Sequence, residues 1–259
     1  AHMKAVECRT LALPHLQPPG ERVEIPYQHK WLAANLRRPS GVDNPPIVLM
    51  IPGLEATKEE VVRYEDSFLA RGMASLSIDG PGQGEGEYDF PLAGNYEVVA
   101  GTIIDWLEKR GDVDTNRIGI YGVSLGGYHA PRAACFEKRI KACVSVSGAY
   151  EWGANWDRKS HLNREVFRIR SHSASMDEAK EKAQTLSLRG IAGNITCPIY
   201  IVAGGLDQLT AVEAAEKLAS DASGPKVLSI VEDGVHVCHN RPYKFRPQTA
   251  DWMARQLGA

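Results

Sequence analysis

The stretch Gly122-Val123-Ser124-Leu125-Gly126 sets a serine between two glycines, directly after the apolar run 118–121. The pentapeptide alone fits two readings: a glycine-rich turn or phosphate loop, and a serine held out for nucleophilic attack. A strand before it and a helix after it favour attack, because the chain must then reverse within about two residues and strain the central position. Small residues at 122 and 126 let strand and helix approach, and the turn lifts the hydroxyl above the sheet edge. The Leu125 N–H then lies free at a helix start, aimed at negative charge. A second free N–H is expected in the loop after "IVLMI" (47–51), where Leu54 follows Gly53 in "IPGLEAT".

A serine hydroxyl is a weak nucleophile at neutral pH and needs a base, which in turn needs an orienting group. On a strand-to-helix nucleophile elbow the chain order is serine, acid, histidine. After the run "PIYIVAGG" (198–205) comes Asp207, and after "KVLSIVE" (226–232) comes His236. Both fall in loops at the carboxyl ends of expected strands. Asp207, followed by Gln-Leu-Thr, also reads as a plain helix cap. His239 competes with His236, which lies nearer the strand end. Asp233 competes with Asp207, but abuts the strand too close to His236 to reach around and hold it.

Other chemical candidates read as structural. Asp79, in "SIDGPGQGEGE", follows a strand but precedes Ser124, and its carboxylate suits the backbone N–H groups of a glycine-rich turn. That turn lacks a Lys-Ser/Thr pair, and its glutamates would repel phosphate. His161 and His172 lack metal-ligand spacing and read as surface residues; Cys238 reads as a packed residue. The five cysteines are odd in number, scattered and without a C-x-x-C pair, so neither a disulfide framework nor a zinc site is suggested, and a reducing cytoplasmic compartment is the simplest expectation. A net charge of −2 without a basic stripe argues against nucleic acid as a partner. The apolar runs are too short to span a bilayer, and the start lacks the apolar segment of a signal peptide. Ala1-His2-Met3 reads as a cloning remnant. Nucleophile, base and oxyanion donors suffice for hydrolysis, so no cofactor is implied. The expected partner is a small-molecule substrate, with a homodimer left open.

The elements that must position these groups alternate in type. Residues 11–22 are Pro-rich and read as an irregular lead-in. Strands are expected at 22–28 and 30–39 as an antiparallel hairpin, then at 47–51, 73–79, 117–122, 140–148, 198–205 and 226–232. Helices are expected at 56–72, 95–111, 125–138, 211–220 and 247–257. Thr57 and Glu60 suggest a capping box for the first of these and Gly72 its stop. Pro131 is expected in the first turns of its helix. This order predicts an α/β fold: one domain over 1–259, with a mostly parallel eight-stranded sheet and helices on both faces. Residues 151–196 break the rhythm and read as a small cap over the carboxyl edge of the sheet, where such sheets bind ligands.

Four blocks, "IPGLEATKEE", "FLARGMASLSIDGPGQGEGE", "RIGIYGVSLGGYHAPRAA" and "DGVHVCHN", resemble the α/β-hydrolase superfamily. More narrowly they resemble the branch of 2,6-dihydroxypseudooxynicotine hydrolase and the fungal polyketide-shortening pigment hydrolases. The resemblance spans roughly residues 20–259. It implies hydrolysis of a carbon–carbon bond beside a ketone, a retro-Claisen cleavage of 1,3-dicarbonyl or acyl-arene substrates. A carboxylesterase with the same triad is the alternative. The implied roles are Ser124 as nucleophile, His236 as base, Asp207 as orienter, and the Leu54 and Leu125 amides as oxyanion hole. Glu55, Tyr150, Glu151 and Trp152 are candidates for the substrate pocket, with Glu151 the nearest acid to protonate a carbanion. Members of this branch typically carry an N-terminal, largely helical domain over the site; here the first strand is expected near residue 23.

Overall fold

The computed structural model describes residues 1–259. Its strands are β1 (Gly20–Tyr27), β2 (Lys30–Arg37), β3 (Pro46–Ile51), β4 (Ala74–Ile78), β5 (Asp114–Val123), β6 (Ile140–Val146), β7 (Ile199–Gly204) and β8 (Lys226–Val231). They form one sheet in the order β1-β2-β4-β3-β5-β6-β7-β8. β1 and β2 form an antiparallel hairpin, β2 is antiparallel to β4, and β4 through β8 run parallel. The central strands are buried on both faces, which is why β3 reads as an unbroken apolar run.

The helices are α1 (His2–Ala12), α2 (Val62–Leu69), α3 (Tyr96–Glu108), α4 (Leu125–Phe136), α5 (His161–Arg170), α6 (Met176–Gln184), α7 (Val212–Asp221) and α8 (Arg246–Leu257). α3, α4 and α7 cover one face of the sheet, where the larger hydrophobic core also takes in Trp152, Trp156 and Phe167. α2 and α8 cover the other through Tyr64, Phe68, Trp252 and Met253. None of these helices is long and apolar enough to cross a membrane.

Two local features differ from the sequence reading, each for a physical reason. α1 was not expected, because Val6 is its only buried residue and no apolar stripe marks it. Its Arg9 reaches the fully buried Glu65 at 3.0 Å, beside Arg37 at 3.1 Å. α2 begins at Val62, and Thr57 caps nothing. Lys58, inside the expected helix, is instead drawn inward: its amide and ammonium donate to Asp79 at 2.7 and 2.9 Å. Pro131 lies in the second turn of α4, within the first turns where it is expected. A proline there removes the N–H that would bond the carbonyl four residues earlier. That carbonyl, Gly127 O, accepts the Ser145 hydroxyl from β6 at 2.7 Å.

The Lys58–Asp79 pair is wholly buried. Burial alone would lower the Lys58 pKa, but Asp79, Glu59 and Glu85 around it outweigh that and hold it above its ordinary value. Asp79 also accepts the Glu85 N–H at 2.9 Å. Between these bonds the turn passes so close that a Cβ on Gly84 would lie 2.1 Å from the Asp79 carboxylate, and Gly84 has φ of +46°. Removing one partner of such a pair strands the other charge. Asp79→Ala also orphans two amides, so it is expected to lower stability by about 3 kcal/mol or more, read as a reduced urea midpoint.

Candidate active site

Ser124 caps α4 with φ of 58° and ψ of −114°, a left-handed backbone that a non-glycine residue adopts only under constraint. The constraints are visible. Its amide donates to Val146 O at 2.8 Å, and its carbonyl accepts the Gly127 N–H at 2.9 Å. A Cβ on Gly122 would lie 1.8 Å from Gly126 O, and one on Gly126 would lie 2.2 Å from Ile51 O. Only hydrogen fits at either position, so the helix start presses onto β3 and β5. The result is a hydroxyl at the carboxyl edge of the sheet.

His236 Nε2 lies 2.8 Å from Ser124 Oγ, and its Nδ1 lies 2.8 Å from Asp207 Oδ2. Three residues widely spaced in the chain meet in one hydrogen-bonded line. The Asp207 side chain is 1% exposed. Burial disfavours its charge, but the His236 contact and the Thr210 and Leu209 amides outweigh that and hold its pKa below the ordinary carboxylate value. With Asp207 ionised, Nδ1 carries the ring proton and Nε2 is left to accept the serine O–H. Such an imidazole can take that proton as the oxygen attacks.

Asp207 satisfies both readings of its sequence context at once. Oδ1 accepts the Leu209 and Thr210 N–H groups at 2.9 and 3.0 Å, as a capping carboxylate does, while Oδ2 faces the histidine. The rivals are placed elsewhere. His239 is exposed and bonds only its neighbour's carbonyl, His236 O, at 3.0 Å. Asp233 pairs with Arg241 and Lys244. Cys238 is fully buried, and burial, followed by the charges of Asp207 and Asp233, pushes its thiol up to about 11.

Leu125 and Leu54 are buried and flank the serine in the fold, Leu125 at the first position of α4 and Leu54 directly after Gly53. A Cβ on Gly53 would lie 3.2 Å from the Ser124 Cβ, which measures how closely that loop passes. The loop is held by a residue the sequence did not single out. Gln83 is fully buried, and its Nε2 donates to Pro52 O at 2.7 Å and Gly53 O at 3.1 Å. In a trans peptide the N–H points opposite to the preceding C=O. Fixing Gly53 O therefore fixes the direction of the Leu54 N–H. Two more holding residues went unremarked: Ser147 Oγ accepts the Val237 N–H at 3.0 Å, and Asn240 Oδ1 accepts the Val235 N–H at 3.0 Å. No motif spacing marks them, since each acts through backbone groups distant in sequence or around a tight loop.

The other pocket candidates have defined surroundings. Glu55 is exposed, beside Leu54, and its charge reaches Arg170. Tyr150 is buried, with its hydroxyl on Asp221 Oδ2 at 2.5 Å. The Glu151 carboxylate is gripped by Arg189 at 3.0 and 2.6 Å, which lowers its pKa, so it is a poor proton donor. Trp152 is buried and stacks on Phe167 at 4.4 Å, with the Lys159 ammonium 4.3 Å from its ring centroid. One group could approach a metal ion: His2, Glu59 and Asp79. The Lys58 ammonium already sits there, 2.8 Å from Glu59 and 2.9 Å from Asp79, and supplies the positive charge.

A family model described as X-Pro dipeptidyl-peptidase (S15 family) matches residues 30–187. A 2,6-dihydropseudooxynicotine hydrolase from Paenarthrobacter nicotinovorans is 34% identical over 251 residues, covering 96% of this chain and 68% of that protein. The chain belongs to this branch of the α/β-hydrolases. The crystal structure of the 2,6-dihydroxy-pseudo-oxynicotine hydrolase superposes with a TM-score of 0.93 at 33% identity, over 99% of this chain and 73% of the other. A fungal hydrolase, ffsE of Aspergillus flavipes, is 34% identical over 172 residues, 56% of this chain and 37% of its own length. Est1E from Butyrivibrio proteoclasticus, at 18% identity and a TM-score of 0.73, shares the fold. The chain is thus a serine hydrolase by family, and its eight-stranded sheet is that of the relatives.

Asp207→Asn tests the line of contacts directly. An amide N–H facing Nδ1 would force the other tautomer and remove the acceptor from Nε2. Labelling of Ser124 by a fluorophosphonate is expected to slow on the order of 10³- to 10⁴-fold, with the fold intact by circular dichroism.

Proposed function

We propose that this α/β-hydrolase cleaves a carbon–carbon bond beside a ketone, in a β-diketone or acyl-arene substrate, through an acyl-enzyme on Ser124. The carrying observation is the continuous path from Ser124 Oγ through the His236 ring to Asp207 Oδ2, 2.8 Å at each step. The choice of bond is supported by the 34% identity to a protein named a pseudooxynicotine hydrolase.

In this reading the Ser124 oxygen attacks the ketone carbon as its proton passes to His236 Nε2. The carbonyl oxygen becomes an oxyanion, held by the Leu54 and Leu125 N–H groups, whose value lies in being aimed before the charge develops. Collapse reforms the carbonyl and breaks the carbon–carbon bond. The electron pair leaves on a carbon stabilised by its own carbonyl or by a hydroxylated ring, and that carbon takes the proton from His236. Water, deprotonated by His236, then attacks the acyl-enzyme and releases a carboxylic acid. Asp207 keeps the ring in one tautomer and offsets its positive charge in both halves. Glu55, exposed beside Leu54, is assigned to the pocket wall, and Tyr150, Glu151 and Trp152 are assigned to the wall contributed by the segment after β6. Gln83 acts as a positioning residue for the Leu54 amide.

The deciding experiment compares a β-diketone with p-nitrophenyl acetate. Turnover of the diketone with a Ser124 acyl adduct by intact mass is the expected result; efficient turnover of the ester alone would eliminate the carbon–carbon reading in favour of an esterase. Ser124→Ala and His236→Ala are each expected to lower turnover by roughly 10³-fold or more. Gln83→Leu is expected to lower kcat about tenfold or more with little change in KM, since it disturbs a contact made to the oxyanion rather than to the bound ground state.

A further inference from the structure

The two edges of the sheet are built differently. β1 guards its edge with the Arg22–Glu24 ion pair and with Pro26, devices that discourage strand addition. β8 has neither a proline nor an ion pair within it, and its charges stand only at its ends, Lys226 and, just beyond, Glu232. Val227, Leu228 and Ile230 are 38%, 37% and 41% exposed, which puts apolar surface on both faces of an edge strand. A groove of about 410 Å³ lined by Ile230, Glu232, Tyr243 and Gln248 runs beside it, with Tyr243 63% exposed.

The ladder to β7 shows which backbone groups are free. Ile199 N–H donates to Pro225 O and Gly205 N–H to Val231 O, both at 2.8 Å. In a parallel ladder the bonding residues alternate. Residues 225, 227, 229 and 231 therefore turn their polar groups to β7, and Lys226, Leu228 and Ile230 turn theirs outward. We propose that β8 pairs antiparallel with β8 of a second copy of this chain, on a two-fold axis at Ser229, to join the two sheets.

The register follows from complementarity. Outward-facing residues must oppose outward-facing residues, so a two-fold axis passes through a residue and not between residues. With the axis at Leu228, Lys226 would oppose Ile230; with it at Ile230, Leu228 would oppose Glu232. At Ser229, Leu228 opposes Ile230, Val227 opposes Val231, and Lys226 opposes the exposed Glu232, each twice by symmetry. Cross-strand pairs of opposite charge stabilise and like charges destabilise. In this chain Glu232 has no basic partner, and the Lys226 ammonium holds only the carbonyl of Ala222.

Sedimentation across a dilution series tests this. The wild type is expected to reach twice the 28.4 kDa protomer mass in the micromolar range. Lys226→Glu is expected to weaken association roughly tenfold, and Lys226→Glu with Glu232→Lys to restore it. Leu228→Asp must also dissociate the dimer, and fluorophosphonate labelling of Ser124 confirms that each variant is folded. A monomer at every concentration overturns the proposal, as does a dimer indifferent to both Lys226→Glu and Leu228→Asp.

Discussion

The site depends on one strained turn. Ser124 cannot hold a left-handed backbone unless β5, β3 and the start of α4 come closer than side chains permit, and the two glycines around it grant that approach. Strain of this kind costs about 1–3 kcal/mol and persists only where the surroundings over-determine it. They do so here from several sides. Val146 O takes the serine amide, Ile51 O lies against Gly126, and Ser145 occupies the carbonyl that Pro131 leaves free. The proline in the helix interior is thus compatible with α4 because β6 supplies the missing donor. Elbow, helix and central strands form one rigid unit, so the hydroxyl and the Leu125 amide are placed by the core itself.

The Leu54 amide, the second oxyanion donor in the proposed reaction, is placed by a longer chain of contacts, and that chain begins at a buried charge. Asp79 gathers Lys58 and the Glu85 amide, which shapes the glycine-rich turn after β4. The turn delivers Gln83, and Gln83 holds the Pro52 and Gly53 carbonyls. Buried ion pairs are weak evidence for stability, since desolvation opposes their attraction. Their better-supported use is to specify one arrangement among many, and here the arrangement specified is the direction of a single N–H. The same logic accounts for the acidic groups between 79 and 87: Asp79 and Glu85 serve Lys58, and Glu85 also serves Arg22.

The fold and the line Ser124–His236–Asp207 were legible because they follow from chain-local patterns. Apolar runs marked the eight strands, the Gly-x-Ser-x-Gly turn marked the elbow, and strand ends marked where acid and base must fall. What stayed hidden was the set of residues that act across the sheet. Gln83, Ser147 and Asn240 bond backbone groups, and side chain to backbone contacts leave no periodicity. α1 stayed hidden because it docks through Arg9 on Glu65 and a single valine rather than an apolar face. The start of α2 was misplaced because Thr57 and Glu60 fit a capping box locally, while Asp79, twenty-one residues from Lys58, drew that segment out of the helix. A strong local signal yields where a buried charge needs a partner.

The strand that leads to His236, the proposed base, is the least buried in the sheet, exposed at most of its positions. A histidine loop hung on β8 alone would move with a fraying edge. The structure instead fastens that loop to its neighbours. Leu206 N–H donates to Gly234 O at 2.8 Å, Ser147 at the end of β6 accepts the Val237 N–H at 3.0 Å, and Asp207 after β7 holds the ring. Val237 and Cys238 take left-handed backbone angles to meet these partners, so the loop is strained in the same sense as the elbow it faces. The His236 ring is therefore positioned by β6 and β7, and β8 is free to carry exposed apolar surface. An edge strand relieved of its catalytic burden in this way can pair with another chain without disturbing the imidazole, and pairing would in turn stiffen the one strand at the site that the monomer leaves half covered.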